Sequence, residues 1–160
     1  MNRRQLLAGG AAAALTLTAA APARAESDEG GLLLGLWRRE MGLALAYGQQ
    51  VHTNPELFGP ARRHAGDHAA AIATELAAVG LGTPKPPWTP DDLDVGAHRL
   101  ATSRPADALA NAALVEQDMV DVYKGALLAL PDAKIAMTAA TILASHAQHF
   151  FILDRAAQVT

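Results

Sequence analysis

Two glutamates and four histidines carry most of the chemistry open to this chain of 160 residues. Glu40 and Glu116 each stand inside a run of apolar residues. His64 and His68 are four apart, and His146 and His149 are three apart, so on helices each pair shares a face. A carboxylate on an apolar face is costly unless it is paired or metal-bound. Carboxylate oxygens and imidazole nitrogens suit iron, zinc, manganese or copper. The same groups can instead satisfy one another as a Glu–His network with no ion, and the residue types leave both arrangements open.

Other chemistries find little support. There is no cysteine, which excludes a disulfide framework, thiolate metal sites and a catalytic thiol. Gly30-Gly31 and Gly80-x-Gly82 read as turn or cap glycines rather than a phosphate loop. No Gly-x-Ser-x-Gly elbow is present, and Ser145 falls mid-helix, a poor place for an exposed nucleophile. Asp91-Asp92-x-Asp94 lacks the spaced ligands and closing Glu of a calcium loop and reads as a capped turn. Arg38-Arg39 and Arg62-Arg63 read as solvated outer-face pairs. The formal net charge of −3 gives no reason to expect nucleic acid as a partner.

The elements that must position these residues are helices. The chain is 51% hydrophobic but only 4% aromatic, and 37 of its residues are alanine, a balance that favours helix over sheet. A first helix is expected from Gly31 to His52, with the stripe Leu33, Leu36/Trp37, Leu43/Ala44, Tyr47 and Val51. Asn54-Pro55 caps a second, which runs to Val79 and stops at Gly80. Leu81 to Arg104 breaks the pattern with four prolines and leaves room for a short helix within Asp91–Thr102; Trp88 is expected to pack this segment on the bundle. A third helix spans Pro105–Leu130, and a fourth runs from Asp132 to Ala157 with Ile135, Ala139, Ile142 and Leu153 inward.

Loop lengths then set the topology. Short connections make antiparallel hairpins of the first and last pairs. The 24-residue segment 81–104 is long enough to run the length of a helix of about 36 Å. The fold class expected is all-α: a four-helix bundle with one long crossover between the second and third helices. Depth along the hairpins brings the polar residues to one level. Glu40 lies 14 residues before Asn54 and His68 lies 14 after it; Glu116 lies 16 before Asp132 and His149 lies 17 after it. Glu40, His68, Glu116 and His149 should therefore converge, with His64 and His146 about a turn away or at the edge. Tyr47 follows Glu40 by seven and Tyr123 follows Glu116 by seven, a weak internal repeat.

The first 25 residues read as an address. Asn2-Arg3-Arg4-Gln5-Leu6-Leu7 resembles the twin-arginine consensus, Leu6–Ala21 is a soft apolar run, and Ala23-Arg24-Ala25 is a small-x-small cleavage site. The expected partner is the twin-arginine translocase, and the expected location lies beyond the cytoplasmic membrane, with no lipid or membrane anchor. Removing the segment takes Arg3, Arg4 and Arg24 and no acid, leaving a domain 26–160 with 10 basic and 16 acidic residues. A homo-oligomer is also among the partners in view.

Three stretches resemble the ferritin-like superfamily, in particular its exported members: Arg63-His64-Ala65-Gly66-Asp67-His68-Ala69, Ala113-Leu114-Val115-Glu116-Gln117 with Tyr123, and Ile142 to His149 with Leu153-Asp154-Arg155. The resemblance implies that Glu40 and Glu116 match the single glutamates of the di-metal bundles, and His68 and His149 the histidines of their two Glu-x-x-His motifs. The glutamates of those motifs are missing: Ala65 and His146 stand there. That departure argues against a carboxylate-bridged di-iron oxidase and for one ion rather than two. No catalytic residue is assigned. The metal candidates are Glu40, His64, His68, Glu116, His146 and His149. The functions in view are metal sequestration or redox defence, or a metal-free bundle serving as a structural or partner-binding module.

Overall fold

The computed structural model describes residues 23–87 and 89–159, with side chains from Asp28 onward. The residues preceding Ala23, which hold most of the address segment, and Trp88 lie outside the described residues. The described residues form five α-helices: α1 (Ala23–Gln50), α2 (Pro55–Ala78), α3 (Val95–Ala101), α4 (Ala108–Ala129) and α5 (Ala133–Ala157). Among the described residues there is no strand.

Local chemistry explains the turns. Asn54 Oδ1 accepts from the Leu57 amide, and Pro55 opens α2 where its missing N–H costs nothing. At the far end, Gly80 adopts φ 79°, while the Leu81 amide donates to Leu76 O and the Gly80 amide to Ala77 O. That is a Schellman stop, and the left-handed residue must be glycine-like. Asp132 Oδ1 caps α5 by accepting from the Lys134 and Ile135 amides, at 2.8 and 3.0 Å.

Two boundaries differ from expectation. Helix α1 begins at Ala23 and runs through Gly30-Gly31 instead of starting there. Gly30 is buried against the Leu81 side chain, and a Cβ at that position would collide with it. The glycine thus serves a close tertiary approach, which outweighs its poor helix propensity. At the other end of the crossover, Pro105–Asp107 forms a 3-10 turn and α4 proper starts at Ala108.

Helices α1 and α2 form one hairpin and α4 and α5 the other, with α2 packed on α5 and α1 on α4. Inside lie Leu33, Leu36, Leu43, Phe58, Ile72, Leu76, Met119 and Ile142, each no more than 3% exposed. The crossover carries α3 across α1 and α4. Gln50 Nε2 fastens it by donating to Ala101 O and Ser103 O, and the Arg39–Asp94 ion pair, 3.2 Å long, adds an exposed tie. Asp94 also caps α3 through the Ala97 amide, and Asp92 Oδ2 accepts from Thr89, so the acidic run is a capped turn.

Candidate metal centre

Among the described residues five polar side chains are buried, and three of them meet at the middle of the bundle: Glu40 (0% exposed), Glu116 (0%) and His146 (1%). His146 lies between the two carboxylates. Its Nε2 is 2.7 Å from Glu40 Oε1 and its Nδ1 is 2.6 Å from Glu116 Oε2. Both nitrogens face acceptors, so both carry protons and donate. The glutamates are therefore on two sides of one ring, well inside a shared site.

The tyrosines cross between hairpins. Tyr47 of α1 donates to Glu116 Oε1 of α4 at 2.5 Å, and Tyr123 of α4 donates to Glu40 Oε1 of α1 at 2.7 Å. Both rings are fully buried. Their seven-residue offset from the glutamates was the visible signal in the sequence; that each reaches the other hairpin's carboxylate was not. On the flanks, His68 Nδ1 lies 3.3 Å from Glu40 Oε2, and His149 Nδ1 lies 3.4 Å from Glu116 Oε1. His64, on the exposed outer face, bonds the far side of His149, with Nδ1 and Nε2 2.8 Å apart and the rings nearly coplanar at 8°.

The six sequence candidates thus form one connected chain, but not in the expected order. His146 is the centre and not a residue one turn away. His149 and His68 flank it, and His64 is at the edge as expected. Two groups have the proximity a metal ion needs: Glu40, His68 and His146, and Glu116, His146 and His149, with ligand atoms within 4.8 Å of one another in each. His64 belongs to neither.

The electrostatics follow from burial against pairing. Burial alone would raise the Glu116 carboxyl, yet hydrogen bonds from His146 and His149 outweigh it and hold it down at about 2. Glu40 is lowered in the same way by His146 and His68 against the cost of burial. Burial works to lower His146, but the bonds to Glu116 and Glu40 push it up to about 10. Tyr47 and Tyr123 are raised by burial first and the facing carboxylates second, so both stay protonated donors. His64 is lowered by desolvation and by the neighbouring His149.

The donor set differs from that of a carboxylate-bridged di-iron centre. A carboxylate-bridged pair of irons draws one Glu from each of two helices and a Glu-x-x-His from each of the other two. Here the motif positions hold Ala65, which is buried and offers no donor, and His146. Two carboxylates and three imidazoles fit one borderline ion.

A ferritin-like domain family matches residues 44–158, a span that takes in His68, Glu116, His146 and His149 and begins just after Glu40. The chain is similar in structure to a conserved hypothetical protein of Mycobacterium tuberculosis, with a TM-score of 0.71 and 18% identity, over 85% of this chain and 94% of that one. At that identity the likeness concerns the fold alone. No curated protein matches the sequence. With a family match over most of its length and the short–long–short bundle to go with it, this chain belongs to the ferritin-like domain family.

Proposed function

We propose that this is an exported ferritin-like protein that holds a transition metal ion in its bundle core, for sequestration or redox defence. The observation that carries the proposal is the placement of two fully buried carboxylates around a shared imidazole, with two more imidazoles within reach. Hydrophobic residues could fill the same space without the desolvation cost of these charges. Glu40, Glu116, His146, His149 and His68 would supply the ligands, while Tyr47 and Tyr123 orient the carboxylates. A bound ion would supply Lewis acidity or one-electron chemistry at this point. Metal analysis of the protein purified without a polyhistidine tag or chelating column tests the proposal. Retained iron, zinc, manganese or copper that Glu116→Gln abolishes supports it; no retained metal counts against it.

A second reading rests on a specific observation. Each carboxylate oxygen of Glu40 and Glu116 already meets a tyrosine or histidine donor, so the core can stand as a metal-free polar network in a structural or partner-binding bundle. Glu116→Gln would then alter stability alone, by about 1–3 kcal/mol.

The export half of the proposal rests on residues 1–25. Replacing Arg3-Arg4 with Lys-Lys should trap the protein in the cytoplasm, whereas undiminished secretion would assign it to the general pathway.

A further inference from the structure

We infer that the centre takes a single divalent cation on its α4/α5 side. Glu116, His146 and His149 are its ligands, Glu40 holds the far nitrogen of His146, and His64 holds the far nitrogen of His149. The inference rests on the metal-binding reading above and narrows it to one of two candidate groups and one ion.

Two features limit the centre to one ion, and three more choose its side. The two groups overlap in His146, and a neutral imidazole has one nitrogen lone pair to give; the other nitrogen bears a proton. When one group uses the ring, the glutamate of the other becomes its hydrogen-bond acceptor. This is the carboxylate–histidine–metal arrangement that fixes a ligand's tautomer and orientation. Charge points the same way. One divalent ion balances the two buried carboxylates, whereas a second would leave uncompensated positive charge beside the fully buried Glu40, Glu116 and His146.

Three observations choose the side. His149 is backed by His64 at 2.8 Å in a nearly coplanar bond, which aims its Nδ1 at Glu116. Among the described residues no hydrogen bond holds the second nitrogen of His68, whose Nδ1 faces Glu40. At the position three residues before the flanking histidine, α5 also has the buried imidazole of His146 where α2 has the inert Ala65. Finally, a cleft of about 230 Å³ opens beside His64 and His149, with Leu57, Pro60, Ala61 and Ile152 among its walls. It gives the α5 group an approach from solvent.

The experiment is a titration of the metal-free full chain with cobalt(II), followed by its visible absorption, for wild type and three variants. Wild type should bind one equivalent. His149→Ala should weaken binding at least tenfold more than His68→Ala does, and His64→Ala should weaken it by about 10- to 100-fold, the usual range for an orienting partner. Helical circular dichroism serves as the folding control; if His149→Ala fails to fold, His149→Asn carries the same comparison. Two bound equivalents, or equal losses from His68→Ala and His149→Ala, would overturn this inference and leave the metal-binding reading standing. Absence of cobalt binding by folded wild type would overturn that reading and this one with it.

Discussion

The two hairpins are built alike and end up unequal. Each contributes a glutamate, a tyrosine seven residues on, and a flanking histidine: Glu40, Tyr47 and His68 from one, Glu116, Tyr123 and His149 from the other. The bonds even reciprocate, because each tyrosine serves the opposite hairpin's glutamate. The inequality comes from one position. Three residues before the flanking histidine, α2 has Ala65 and α5 has His146. That one ring binds both glutamates, so the symmetric frame acquires an asymmetric centre. A near-repeat thus provides matched depths and matched charges, and a single departure from it decides where the chemistry concentrates.

Making the hairpins alike should have the largest effect. His146→Ala copies the Ala65 arrangement and leaves two buried carboxylates without their shared partner. Breaking a buried pair in this way costs about 3–5 kcal/mol, read from urea unfolding near neutral pH; a loss under 1 kcal/mol would mean that the ring is not the keystone of the core. The tyrosines sharpen the comparison from the opposite direction. Tyr47→Phe and Tyr123→Phe each remove one hydrogen bond to a carboxylate, worth about 1.5–3 kcal/mol. Similar losses would uphold the pseudo-symmetry, and clearly unequal ones would break it.

The pH dependence of the metal-free protein separates the contributions of ring and carboxylate. His146 is raised from 6.5 to about 10, so the stability it contributes is complete below about 6.5 and is lost as the pH climbs through 10. Glu116 is lowered from 4.5 to about 2, so its contribution is complete above about 4.5 and is lost as the pH falls through 2. Thermal melting should accordingly peak between about pH 4.5 and 6.5 as far as these two groups are concerned. A melting temperature that rises steadily from pH 7 to 10 would contradict the doubly bonded imidazolium. The smallest effect lies outside the centre. Arg39→Ala breaks an exposed ion pair to the crossover and should cost less than about 1 kcal/mol.

Much of the frame was legible in the sequence because prolines, glycines and caps act locally. Asn54-Pro55, Gly80 and Asp132 set the turns, and the length of 81–104 set the crossover. The start of α1 was not legible, because Gly30 answers to Leu81, a residue 51 positions away. Within the centre, the counts from each turn found the level of Glu40, Glu116, His68 and His149. They could not rank His146 against His149, since two residues three apart share a face and differ in height by less than one turn. What brings His146 to the middle is that both glutamates turn toward it, a choice made by packing and pairing across all four helices. An ordinary imidazole would release a metal ion only as the pH falls below about 6, but the pairing of His146 shifts that range upward. With His146 raised to about 10, an ion must displace its proton even at neutral pH. Affinity should therefore rise about tenfold per unit between pH 7 and 9.

The central claim is that the buried Glu/His cluster holds a metal ion, and anomalous diffraction from crystals grown with zinc or iron tests it most directly. The predicted result is one strong peak inside the bundle, within about 2.0–2.2 Å of Glu116, His146 and His149 ligand atoms. Anomalous density confined to the surface, with the Glu40–His146–Glu116 hydrogen bonds intact in a metal-soaked crystal, would contradict it.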